Sequence, residues 1–149
     1  AVVNSRTLKN DTFIEGKPFE KIQNPVAIID KVKSAVSDVC SENTPDAIGI
    51  TGQMHGILYL DKNNEPCSPL MIWQDERGNQ SYKDGETYAE FLTRETGIKA
   101  ASGFGLTTHF YNIINNANSL KQRIWNILKC FSRKLSNYCC LSERIRKTP

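Results

Sequence analysis

Asp46-Ala47-Ile48-Gly49-Ile50-Thr51-Gly52-Gln53-Met54-His55-Gly56-Ile57-Leu58-Tyr59-Leu60 is the stretch from which the fold is read. An apolar run, Ala47 to Ile50, stops at Thr51-Gly52, and a second, Ile57 to Leu60, starts after Gly56. β-Branched residues bounded by glycines favour pleated structure, so the pattern predicts strand, exposed turn, strand. Gly52 and Gly56 open backbone angles closed to other residues, which lets Gln53, Met54 and His55 project from the strand end. In α/β sheets, strand ends are where ligands gather.

Working outward, the chain of 149 residues is long enough for one core, and one domain is the default. Hydrophobic content of 39% and charged content of 23% are ordinary for a globular protein. No apolar run reaches the roughly 18 residues of a membrane span, and the N-terminus lacks a secretory pattern. Five cysteines (Cys40, Cys67, Cys130, Cys139, Cys140) have no C-x-x-C spacing, and Cys139-Cys140 has no nearby His. Reduced thiols in a cytoplasmic setting are expected, with no metal site. The net charge of +3 is uneven: residues 1–117 hold 11 Lys/Arg against 15 Asp/Glu, and residues 118–149 hold 8 against the single Glu143. A basic tail can attract nucleic acid or membrane surfaces. Neither partner is expected here, because the tail is read differently below.

Ala1 to Ser5 reads as the remainder of a strand, and Thr7 to Phe19 as a loop or weak edge strand, given Gly16 and Pro18. The plainest helix follows, with Asn24 as N-cap and Pro25 at its first position. Ile28 or Ile29, Val32, Val36 and Val39 form one stripe, expected to cover a sheet face, and the end falls between Cys40 and Asn43. Asp61 to Glu65 has the composition of a hairpin turn. Leu70 to Trp73 reads as a strand whose return could bring Trp73 beside His55. Tyr82 to Glu95 reads as a helix stopped by Thr96-Gly97. Ser102-Gly103-Phe104-Gly105 reads as a close-approach loop leading into a helix near Thr107. A helix start behind small residues can bind an anion, but a tight packing turn is the preferred reading.

Ile48-Gly49-Ile50-Thr51-Gly52-Gln53-Met54-His55-Gly56, followed by Met71-Ile72-Trp73-Gln74-Asp75-Glu76-Arg77, resembles the N-terminal domain of the FGGY carbohydrate kinases. Within it, the sedoheptulokinase branch is favoured over xylulokinase, because Ser102 to Phe110 is similar to a loop and helix start of that branch. The resemblance covers roughly residues 10 to 117. It implies an α/β fold, a partial ribonuclease-H-like (actin-like ATPase) domain with a mixed sheet and flanking helices. It also implies ATP- and Mg²⁺-dependent phosphorylation of a ketose hydroxyl, sedoheptulose or xylulose. Carried over by position, Gln53, Met54, His55, Trp73 and Asp75 would bind the sugar, Trp73 as a wall and Asp75 on hydroxyls. These residue types suit a ligand with many hydroxyls and C–H faces.

Phosphoryl transfer also needs phosphate loops, a metal site and a base. The family's first phosphate-loop hairpin is expected to lie upstream of Ala1, and its catalytic aspartate and ATP domain downstream. No catalytic, cofactor or metal residue is therefore assigned, and Asp75 is not taken as the base. Residues 118–149 depart from the family pattern and are read as a frame-shifted or misassigned segment. The alternatives are a divergent helix, or an amphipathic helix with Leu120, Ile124, Ile127, Leu128 and Phe131 on one face. The chain is expected to be a kinase fragment, inactive alone. The alternatives are a non-catalytic sugar-binding or regulatory module and a non-functional remnant.

Overall fold

The computed structural model describes residues 2–42 and 45–115. Readings that fall on residues 118–149 lie outside the described residues. Four short strands form one sheet in the order β1-β2-β4-β3: β1 Phe13–Ile14, β2 Ile22–Gln23, β3 Gly56–Ile57 and β4 Leu70–Ile72. All three pairings are antiparallel. Helix α1 (Pro25–Val39) follows β2, and α2 (Tyr88–Thr96) and α3 (Gly105–Ile114) follow β4, with a single 3₁₀ turn at Arg77–Asn79. Helices and strands in one unit agree with the α/β reading. β1 is the expected weak edge, whereas β2 had no distinct signal, since Ile22-Gln23 is too short for any period to show.

The start of α1 is as read. Asn24 Oδ1 accepts from the backbone N–H groups of Val26 at 3.0 Å and Ala27 at 3.2 Å, and Pro25 occupies a position whose N–H has no helical partner. What the stripe does differs from the expectation. Ile29, Val32 and Val36 are exposed, and no residue of α1 is buried. The predicted strand Ala47–Ile50 is likewise unpaired and exposed, with Ile50 at 92%. These two corrections have one cause. A strand needs a hydrogen-bonding neighbour and a helix stripe needs a sheet face, and no described strand lies alongside either segment. Residues 2–10 are also without regular structure, and Val2 and Val3 are exposed.

The second predicted strand is real only at its start. β3 ends at Ile57, and Leu60 bridges Pro66 around a turn in which Asp61 Oδ1 accepts from the Asn63 and Glu65 N–H groups. Helix α2 begins six residues later than Tyr82. Asp84 and Gly85 take positive φ in a turn closed by the Ser81–Thr87 bridge, and Thr87 with Glu90 forms a capping box that sets the start. That Thr-x-x-Glu signal was in the sequence, and the helix does stop at Gly97.

Two apolar clusters make the core. Ile22, Ile57, Tyr59 and Met71 pack beneath the sheet, joined by Cys67, and Tyr88, Leu92 and Phe110 pack between α2 and α3 with Tyr82 and Phe91. Several rings in the second cluster meet edge-on, as Tyr82 and Phe110 do at 5.4 Å and 76°, while Phe91 and Phe110 lie parallel at 5.6 Å, both geometries favoured by aromatic quadrupoles. Chemical denaturation should separate these buried positions from the bare helix. Leu92→Ala should cost about 2–5 kcal/mol, and Val32→Ser below about 1 kcal/mol. A Val32→Ser cost near that of Leu92→Ala would show that residues outside the described set cover α1.

Candidate functional site

The β3–β4 register pairs Gly56 with Ile72 and Ile57 with Met71. Continued by one position, it sets His55 opposite Trp73, just beyond the ends of both strands. Gly56 makes this approach possible: it has φ +117°, and a Cβ there would lie 2.7 Å from the Met71 carbonyl oxygen. The juxtaposition expected from the sequence is thus present at this sheet end. Both side chains face solvent, Trp73 at 48% exposure. His55 itself sits at φ 63°, a left-handed conformation that costs a non-glycine residue on the order of 1 kcal/mol. Its ring nitrogens have no hydrogen-bond partner among the described residues, which leaves the imidazole edge available to a ligand.

Gln53 and Met54 are not gathered in the same way. They lie in the exposed segment 46–55 and make no hydrogen bond among the described residues; Met54 is 75% exposed. Asp75 departs from the expectation in the other direction, with only 1% of its surface exposed. Oδ2 accepts from the Lys21 N–H at 3.1 Å, and Oδ1 accepts from the Arg77 N–H at 3.1 Å. Arg77 Nε lies 3.3 Å from Oδ1. Burial raises the Asp75 pKa, opposed by the Arg77 charge and by these backbone donors. Both oxygens are committed inside the protein, so Asp75 shapes the site through the loop it holds.

Arg77 joins that loop to everything around it. Nη1 donates to Asn112 Oδ1 at 2.9 Å and lies 2.9 Å from Met71 Sδ, while Nη2 pairs with Glu20 at 3.4 Å. Asn112 Nδ2 donates to the Tyr59 hydroxyl at 3.2 Å, and that hydroxyl lies 2.9 Å from His109 Nδ1. Burial pushes the Tyr59 pKa up to about 12 and lowers that of His109, so both stay neutral. This chain of polar contacts was not legible in the sequence, because its members are spread from Glu20 to Asn112.

The loop Ser102–Phe104 was noticed as a close-approach loop but not as part of the site. It touches each of the three organised positions. Ser102 Oγ donates to the Asp75 carbonyl at 2.8 Å. Gly103 has φ +80°, and a Cβ there would stand 1.8 Å from the Trp73 carbonyl oxygen. The Phe104 ring stacks on His55, centroids 4.3 Å apart and planes at 11°. An open cleft of about 400 Å³ runs beside Lys21, Trp73, Asp75 and Ser102. A larger one, about 610 Å³, lies against α2 and the segment 99–102, and is lined by none of Gln53, Met54, His55, Trp73 and Asp75. The register and the loop contacts, not cleft size, mark the site.

No group of three or more His, Cys, Asp or Glu side chains is placed to hold a metal among the described residues. Asp75 is already satisfied by backbone and Arg77, and Glu20 is paired with Arg77. Neither carboxylate is free to hold the metal, so these residues do not fit it. No helix among the described residues is long and apolar enough to cross a membrane.

Comparison with known proteins gives the family of the chain. The model of the FGGY family of carbohydrate kinases, N-terminal domain, matches residues 1–132. Mouse sedoheptulokinase is 32% identical over 90 residues, covering 50% of this chain and 18% of that protein. The xylulose kinase of Bacillus subtilis is 26% identical over 110 residues, covering 70% and 22% respectively. The crystal structure of a xyloylose kinase from Brucella ovis superposes with a TM-score of 0.59 at 23% identity, over 74% of this chain and 24% of that one. That likeness shows the fold, the ribonuclease-H-like (actin-like) α/β class. The chain spans about a fifth of the length of the curated relatives it matches.

Two measurements test the network behind the site. Asp75→Ala leaves Arg77 and the Lys21 N–H buried without their acceptor, and should lower stability by about 3–5 kcal/mol in urea unfolding. His109 gives a pH signature. Its folded pKa lies below the ordinary 6.5, so the unfolded chain takes up the proton first as pH falls. The stability this contributes is complete above pH 6.5 and is lost as pH falls through the lowered folded value. The melting temperature should drop over that window, and drop less in His109→Gln.

Proposed function

Since the chain belongs to the FGGY family of carbohydrate kinases, we propose that it supplies one wall of a ketose-binding site, the sugar being sedoheptulose or xylulose. The observation that supports this most directly is the register that sets His55 opposite Trp73 with both side chains open to solvent. A ketose presents hydroxyls around C–H faces. The imidazole edge of His55 can donate to or accept from a hydroxyl, and the Trp73 ring can pack on a C–H face. Gln53 and Met54 join this wall when a sugar orders the segment 46–55. Asp75 keeps Trp73 in place and does not itself touch the ligand.

The family's reaction moves a phosphoryl group from ATP to such a hydroxyl. The residues described here bind and orient the acceptor. They provide neither a free base nor phosphate donors, which that reaction requires. For this chain alone we therefore expect binding without turnover. The relatives' names favour a five- or seven-carbon ketose, and both are candidates.

Titrating the whole chain with xylulose and with sedoheptulose, followed by tryptophan fluorescence and calorimetry, tests the reading. A saturable signal with one of them is expected. Trp73→Ala and His55→Ala should each weaken it about tenfold, the equivalent of one stacking or hydrogen-bonding contact. Unchanged affinity in both variants would remove the site. Phosphorylation by the chain with Mg²⁺-ATP would overturn the expectation of binding without turnover.

A further inference from the structure

The candidate site depends on a side chain outside the five residues expected to bind the sugar. His55 is held in a left-handed backbone conformation, φ 63°, in an exposed segment with no regular structure from residue 46 onward. Nothing in that segment holds its ring, since neither nitrogen is hydrogen-bonded among the described residues. What meets it is Phe104, whose ring lies parallel to the imidazole at 4.3 Å and 11°. Phe104 stands at the N-cap of α3 with extended backbone and makes no side-chain capping bond. An N-cap is normally filled by a short polar residue, so a phenylalanine there is poorly suited to the helix. Its position is also rigidly set: Gly103 is pressed against the Trp73 carbonyl, and a Cβ on Gly105 would lie 2.7 Å from the Gly56 carbonyl oxygen. Phe104 is therefore clamped between the backbone that follows His55 and the backbone of Trp73.

We propose that Phe104 is a positioning residue for sugar recognition, which holds the His55 imidazole in one orientation against the Trp73 wall. The stack covers one face of the imidazole and leaves its edge, with both nitrogens, to meet ligand hydroxyls. A mobile histidine would pay the entropy of ordering when the sugar arrives; a stacked one has been ordered in advance. The same loop orders Trp73 through Gly103 and the Asp75 carbonyl through Ser102. Ser102-Gly103-Phe104 thus sets the relative placement of two walls that lie 18 positions apart in sequence. This inference rests on the ketose-wall reading for its purpose, but the contact itself can be tested without any sugar.

The experiment uses the whole chain and its variants Phe104→Leu and Phe104→Tyr. Leucine keeps an apolar side chain without a flat face, and tyrosine keeps the ring. Proton–carbon spectra of the two histidines, assigned with His55→Asn, report the stack directly. A ring lying parallel over the imidazole moves its carbon-bound protons upfield. That displacement should be present in the wild type, kept in Phe104→Tyr and lost in Phe104→Leu, while the His109 signals and the melting temperature stay in place. Sugar titration then reads the consequence: a fall of about tenfold in ketose affinity for Phe104→Leu, restored in Phe104→Tyr. His55 protons that are not displaced in the wild type would overturn the stack. A lost displacement with unchanged ketose affinity would overturn the positioning role. If the wild type binds neither ketose, the ketose-wall reading fails, and with it the purpose assigned to the contact, even where the spectra show the stack.

Discussion

The buried pairing of Asp75 with Arg77 is the constraint on which the rest of the structure depends. Its carboxylate ties the Lys21 and Arg77 N–H groups, and its guanidinium reaches Met71, Asn112 and Glu20. Sheet, 3₁₀ turn and α3 therefore meet at one pair of charges. Such a pair adds little net stability over an apolar filling, but losing one partner is severe. Its value here is geometric. It sets where β4 stops, and so where Trp73 leaves the sheet.

The apolar clusters are small beside this polar hub. Tyr59, Met71 and Ile57 form one, and Tyr88, Leu92 and Phe110 the other; Arg77 and Asn112 contact the first through Met71 and Tyr59, and Asn112 shares helix α3 with Phe110 of the second. A protein organised in this way places order unevenly. The described residues from Ile57 to Ile114 carry most of the packing, whereas α1 and the segment 46–55 present apolar side chains to solvent. His55 stands at the border between the two regimes. It follows the open segment, yet it is gripped by Phe104 from the packed part.

This border position bears on function. The proposed sugar wall would combine one open segment with one strand end, which can admit a ligand and still present His55 and Trp73 in a defined relation. Binding and orientation of the acceptor is the part of the family's task proposed for this geometry.

Much of the fold was legible where a local rule governs. Asn24-Pro25 starts α1 by local chemistry, because the Asn24 side chain satisfies free N–H groups and Pro25 has none to satisfy. Asp61 to Glu65 turns because Asp61 caps its own loop. The paired motifs around His55 and Trp73 pointed to the family that the comparison shows. The sequence alone misled at Ala47–Ile50 and along the α1 stripe, where apolar pattern tells what a segment could bury but not whether a partner lies beside it. Nor could it show that Asp75 is an internal acceptor, or that Phe104 covers His55. Those facts depend on Lys21 meeting Asp75 and on Phe104 meeting His55, residues 54 and 49 positions apart, and only the tertiary structure brings such residues within reach of one another.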